Sequence, residues 1–174
     1  MSAHMGRLCA ALVLAVVLSG CGYHLAGHGD AHGAIPPGTQ TVVVRAAGLD
    51  ANRLAQALMA RMRVGSDYTL QRADAPHATG AGTVELRIEN TSVRFVPAAY
   101  DRTGIAIQYR LTLSASVSLY RDQTALWQSG PMTAAGDVYV TGGPASVEAS
   151  RDRVAQEMRR QWARQAWERL QSGF

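Results

Sequence analysis

The chain has no lysine: all seventeen of its basic residues are arginine. A guanidinium is planar and forks onto carboxylate or phosphate in a way that an ammonium does not. The bias therefore either serves such pairing or reflects the base composition of the genome. Cysteine is nearly absent, with only Cys9 and Cys21. Histidine is scarce as well, and beyond His32 only His77 remains, in a loop rich in Gly and Pro. The sequence has no Gly-x-Ser-x-Gly element, no phosphate-cradling glycine loop, no metal-ligand cluster and no pair of carboxylates on one face, so hydrolytic, nucleotide and metal chemistry lack their residues. The chain reads as non-enzymatic, with no cofactor. Its net charge of +4 is modest and spread along the sequence, which disfavours nucleic acid as a partner. No apolar run reaches the roughly 20 residues that a bilayer-spanning helix needs.

A shorter apolar run is present. Leu8 to Leu18 follows the basic residue Arg7 and ends at Leu18-Ser19-Gly20-Cys21. A positive start, an apolar stretch of roughly 7–15 residues and small residues at the cut define a secretory signal. The cysteine placed directly after the small pair matches the bacterial lipobox, in which that cysteine is acylated and becomes the first residue of the mature chain. The alternative is an ordinary secretory signal with a chance cysteine after it. On the lipobox reading residues 1–20 are removed, Cys21 carries a covalent lipid, and 154 of the 174 residues remain. That length suits one domain. Cys9 leaves with the signal, so no thiol is left for a disulfide.

Residues 21–38 are rich in Gly and His and contain Pro36 and Pro37, the composition of a flexible tether. His24, His28 and His32 are spaced as metal ligands are on a helix, but Gly27, Gly29 and Gly33 oppose a helix there. A single folded domain is expected over residues 39–174. Thr41 to Arg45 is a β-branched strand whose unbroken apolar run predicts cover on both faces, as in a central or parallel strand. Leu54, Leu58 and Met62 predict a helix over residues 51–64, with Asp50 or Asn52 as cap and Gly65 as stop. Tyr68 to Gln71 is a short strand candidate, and residues 73–82 form a loop.

The strongest pattern runs from Ile105 to Leu119, where the odd positions are apolar or small and the even ones mostly polar. That alternation predicts a strand with one buried face, about 50 Å long at ~3.3 Å per residue. Thr83 to Val96 alternates too, but Val93 and Phe95 are out of phase with Val84, Leu86 and Ile88, which predicts a bulge near Asn90 to Ser92. The two runs form a long hairpin with its tip at Asp101-Arg102-Thr103-Gly104. A third antiparallel strand from Ala125 to Val140, interrupted at Gly130-Pro131 and Gly136, follows the turn at Asp122-Gln123. Ser146 is placed to cap a closing helix with the stripe Val147, Val154, Met158, Trp162, Ala166 and Leu170.

The elements predict an α/β (α+β) two-layer sandwich: two helices on one face of a mainly antiparallel sheet of about four strands, with a long central hairpin. The other face would display Gln108, Arg110, Thr112, Ser114, Ser116 and Ser118 beside Glu85, Arg87 and Glu89. A long uncovered sheet is a pairing hazard, so a partner covering this face is expected.

Cys21-Gly22-Tyr23-His24-Leu25, the Tyr100-Asp101-Arg102 tip, the Ile107-Gln108-Tyr109 entry to the next strand and Glu157-Met158 in the closing helix together resemble the LPS-assembly lipoprotein family LptE. The resemblance implies an outer-membrane lipoprotein, lipid-anchored and facing the periplasm, that plugs the β-barrel LptD and helps deliver lipopolysaccharide to the cell surface. Gly22, in place of an aspartate after the lipidated cysteine, agrees with outer-membrane sorting. A hydroxyl-rich face suits the polar interior of a large barrel, and Arg102, then Arg94 and Arg110, are the candidates for pairing with lipopolysaccharide phosphates. The chain departs from the family pattern at Thr141 to Val147, which contains no basic residue. The rival expectation is a periplasm-facing ligand-binding lipoprotein with no barrel partner.

Overall fold

The computed structural model describes residues 33–73 and 80–174. The expected signal peptide, Cys21, His24, His28, His32 and His77 lie outside the described residues. The elements follow one another as β1 (Thr41–Ala46), α1 (Leu49–Gly65), β2 (Thr69–Arg72), β3 (Thr83–Tyr100), β4 (Ala106–Arg121), β5 (Thr124–Tyr139) and α2 (Pro144–Ser172). They build a sheet of order β2-β1-β3-β4-β5. Strand β1 is parallel to both β2 and β3, while β3, β4 and β5 pair antiparallel. The expectation of about four mainly antiparallel strands is therefore corrected to five strands in a mixed sheet. The reason is the β1-α1-β2 crossover, which returns a strand parallel to the first, and β2 is too short, at four residues, to show a pattern of its own.

Both helices cover one face of the sheet. From the strands Val42, Val44, Val84, Leu86, Leu111, Leu113 and Leu119 are buried against Leu54, Leu58 and Met62 of α1 and Met158, Trp162 and Leu170 of α2. The unbroken Val42-Val43-Val44 run has the anticipated cover on both sides, since Val43, which shares the opposite face with Glu85, is also buried. Trp162 is fully buried, and its indole N–H donates to Ala115 O across 3.2 Å, so the largest core side chain keeps its polar atom satisfied.

The bulge between Glu89 and Ser92 lies where the phase break predicts it. Asn90 takes up the extra residue at φ 53°, a left-handed conformation that asparagine tolerates better than most residues. Its side chain donates to Ser116 Oγ at 3.1 Å. Beyond the bulge the parity is reversed, and Val93 and Phe95 share the helix face with their cross-strand partners Leu113 and Leu111.

Both expected helix caps are corrected. Neither helix has a side-chain cap at its N-terminus, where Gly48 and Gly143 stand. Asn52 instead donates from Nδ2 back to Gly48 O, and Ser146 donates to Gly143 O and Thr141 O, so both act as donors toward preceding carbonyls. The start of α2 is set by Pro144, whose fixed φ and missing N–H suit the first helical position. Gly65, expected as the stop, is the last residue of α1; the chain leaves the helix at Ser66, which is extended, and a Cβ at Gly65 would stand 2.9 Å from Trp167 Nε1.

Residues 33–38, within the expected tether, lie against the domain. Ala34 N–H donates to Leu170 O at 2.7 Å, Ile35 is buried, and a Cβ on Gly33 would meet Leu170 O at 2.4 Å.

Candidate binding surface

The face away from the helices carries a charged network at its base and a bare hairpin at its far end. At the base Glu85 is buried, with its side chain 6% exposed, and a single oxygen receives Arg45 Nε at 2.6 Å and Arg87 Nε at 2.7 Å. Burial alone would push the Glu85 carboxyl up, but the hydrogen bonds from Arg87 and Arg45 outweigh it and hold the carboxyl below its ordinary range. Glu85 in turn holds the Arg87 guanidinium more firmly protonated, and Arg87 also lies 3.9 Å over the Tyr120 ring. Ser118 Oγ donates to Glu89 at 2.7 Å.

The expected display of Glu85, Ser116 and Ser118 is thus corrected, because all three are buried. The long side chains of Arg45, Arg87 and Glu89 sit beside them on the same face and bond to them or to their neighbours. Ser114 and Thr112 continue the face toward the hairpin, opposite Ser92 and Arg94.

Farther out the hairpin outruns the helices. Burial of the alternating face holds from Leu111 to Leu119, whereas Ile105 and Ile107, expected to be buried, are 64% and 44% exposed. Val96, Tyr100 and Tyr139 are exposed as well, giving the outer hairpin an apolar rim. Phe95 and Tyr109 stack at 4.6 Å on the helix side and stiffen the stem. At the tip Asp101 Oδ1 accepts from Thr103 N–H, Thr103 Oγ1 and Ile105 N–H within 2.7–2.9 Å. Thr103 first, then Ile105, thereby hold the Asp101 carboxyl below its ordinary range. One carboxylate organises the whole turn.

The three arginines singled out in the sequence are all exposed, but they are not equivalent. Arg94 and Arg110 share the open face as diagonal neighbours, since Arg94 opposes Thr112 and Arg110 opposes Val96. Arg110 is engaged by Asp137 of β5 at 2.6 and 3.2 Å, a forked pair that the sequence did not announce because the partners lie 27 residues apart. Arg94 and Arg102 have no hydrogen bond or ion pair among the described residues. Arg102 stands at the tip, beyond the end of β3 at Tyr100, which itself lies about 20 Å along the strand from Arg94 at ~3.3 Å per residue. The arrangement thus offers two uncommitted cations and one committed one along a stiff hairpin. Among the described residues no group of three or more His, Cys, Asp or Glu side chains is placed to hold a metal ion, and no helix is long and apolar enough to cross a membrane.

The domain is a two-layer α+β fold that extends a hairpin with exposed cationic and apolar side chains beyond its helices. Residues 39–170 match the family model described as LptE, lipopolysaccharide-assembly. The chain belongs to that family, whose role is lipopolysaccharide assembly. Among solved structures it is similar to the rare lipoprotein B from Shewanella oneidensis, with 15% identity over 74% of this chain and 92% of that one and a TM-score of 0.57. It is also similar to lipoprotein B from Nitrosomonas europaea, with 11% identity over 73% and 79% and a TM-score of 0.55. A lipoprotein from Caulobacter crescentus gives 16% identity over 75% and 88% and a TM-score of 0.53. At such identities the likeness is one of fold. No curated protein matches the chain in a comparison by sequence.

Proposed function

We propose that the chain is an outer-membrane lipoprotein, anchored through a lipid on Cys21 and facing the periplasm, that associates with and plugs the LptD β-barrel and helps deliver lipopolysaccharide to the outer leaflet. The family match over residues 39–170 carries this reading. The exposed rim of Val96, Tyr100, Ile105, Ile107 and Tyr139 supports it as surface for a barrel wall or its lining, because apolar groups of this size on an outrunning hairpin are stabilised when a partner removes them from water. Its role is binding, without catalysis.

Arg102 and Arg94 are the residues proposed to meet lipopolysaccharide phosphates, with Arg110 joining them only by giving up Asp137. Affinity purification of the detergent-solubilised protein from native outer membranes tests the partnership: LptD is expected to co-purify, and recovery of the lipoprotein alone would overturn it. Arg102→Glu is expected to weaken lipopolysaccharide binding while leaving barrel association intact; unchanged binding would reduce the tip to a solvated turn.

A further inference from the structure

The two edges of the sheet differ in character. One is β2, four residues long. The other is β5, of sixteen residues, and no strand lies beyond it among the described residues. A long edge strand presents a row of unpaired N–H and C=O groups, and proteins close such rows with bulges, prolines or charges. In β5 these devices are gathered in one stretch. The ladder to β4 shifts between Ser116 and Ser118, Gly130 stands at φ 64°, Pro131 has no N–H to offer, and Ser129 O accepts from the Arg169 guanidinium. None of them recurs from Met132 to Tyr139. The one charge there, Asp137, is held within the sheet by Arg110 at 2.6 and 3.2 Å.

The register decides which backbone groups of this stretch face outward. Antiparallel neighbours alternate between pairs that exchange both hydrogen bonds and pairs that exchange none. Val140 N–H donates to Ile107 O at 3.0 Å, and these two residues continue the Gln108–Tyr139 register, so theirs is a bonded pair. From there to Pro131 the register runs without a shift. The bonded pairs are therefore those of Val138, Gly136, Ala134 and Met132, while Tyr139, Asp137, Ala135, Thr133 and Pro131 turn their N and C=O away from β4. Pro131 agrees with this phase, because its missing N–H falls on the outward side, where proline costs no ladder bond. Thr133, Ala135, Asp137 and Tyr139 thus line with alternating donors and acceptors an edge about 20 Å long at ~3.4 Å per residue. Their side chains lie on the open face with Arg110, and those of Thr133, Ala135 and Tyr139 are exposed.

Donors and acceptors that repeat at every second residue are matched by another extended backbone. Tyr139 joins this edge to the exposed hairpin rim, which the proposed function gives to the barrel protein. We infer that the outer half of β5 is a strand-addition site, at which an extended segment of the barrel protein pairs with Thr133 to Tyr139 as a sixth strand. The inference rests on the proposed function for the identity of its partner. The backbone supplies the grip, and the side chains set the preference: a β-branched or aromatic residue beside Tyr139 and no acid beside Asp137.

The test compares the full chain alone in detergent with its detergent-solubilised complex from native outer membranes, by hydrogen exchange read at single residues. Alone, the amides of Thr133, Ala135, Asp137 and Tyr139 should exchange quickly and those of Ala134, Gly136 and Val138 slowly. In the complex the four fast amides should slow by about tenfold or more. Ala135→Pro removes an outward donor and leaves the bonds to β4, whereas Ala135→Val keeps the donor. The proline variant should hold its melting temperature within about 3 °C and recover about tenfold less barrel, while the valine variant recovers nearly all of it. If Ala135→Pro unfolds the domain, the exchange pattern decides alone. Full recovery of the barrel with the proline variant, or equal losses with proline and valine, would overturn the site. Slow exchange at the four amides in the chain alone, together with the mass of a dimer, would give the edge to a second copy and overturn the inference as well. Recovery of the unaltered chain with no barrel would overturn the proposed function and this inference together, whereas a barrel recovered with the four amides still fast overturns the edge alone.

Discussion

Gly136 of β5 lies directly beneath Val154 of α2: a Cβ at position 136 would come within 2.6 Å of Val154 Cγ1. The closing helix rests on the strand backbone at this point. A glycine that reads in the sequence as an interruption of the strand is therefore its contact point with α2. Alanine here would push against a β-branched side chain that is stiff at χ1. We expect Gly136→Ala to destabilise the domain by about 1–2 kcal/mol through overpacking. In Gly136→Ala/Val154→Ala the methyl has room, so the double variant should lose less than the two single losses combined; simple additivity in urea melts would remove the contact as the cause.

Glu85 gives the domain an acid-sensitive element. Its folded-state pKa lies below its unfolded value because Arg87 and Arg45 overcome the cost of burial. The stabilisation is thus complete above the ordinary carboxylate range and fades as pH falls through the lower folded value. Glu85→Gln should flatten the acid limb of a stability-against-pH curve and cost about 1–3 kcal/mol near neutral pH by leaving two partly buried arginines short of their acceptor. An unchanged acid limb in the variant would assign that limb to other carboxylates.

Asp101 holds the hairpin tip by accepting three hydrogen bonds. Asparagine keeps the size but loses the charge, so Asp101→Asn should speed amide exchange at Thr103 and Ile105 while leaving the melting temperature of the domain within about 1 °C. Unaltered exchange at these two amides would mean that the backbone bonds between Asp101 and Ile105 suffice.

The β4-β5 turn places two non-glycine residues in the left-handed region, Asp122 at φ 48° and Gln123 at φ 69°. Two-residue hairpin turns of this kind favour Asp-Gly or Asn-Gly. Gln123→Gly should relieve the strain and raise stability by about 0.5 kcal/mol, measured as a higher urea midpoint at constant slope. A lower midpoint would show that chain entropy outweighs the strain.

The candidate surface was legible in the sequence only in part. Arg94, Arg102 and Arg110 are all exposed on the hairpin, and of these the alternation placed Arg110 on the open face. Which of them is already paired was not legible, because Asp137 reaches Arg110 only through the β4-β5 register. That register contains shifts between Ser116 and Ser118 and between Leu119 and Tyr120, which change the pairing by whole residues.

By itself the sequence determined the order and type of the elements, the bulge at Asn90, the tip at Asp101 and the apolar stripes of both helices. These follow from local periodicity and from backbone preferences of single residues, which act over a few positions. The tertiary structure alone decided how far the helices reach along the sheet. That reach exposes Ile105 and Ile107, although they continue the buried alternation of Leu111 to Leu119. It also decided the burial of Ser116 and Ser118 on the polar face. Burial depends on what stands opposite a side chain, and what stands opposite is set by register, crossover and helix placement, which no local period encodes.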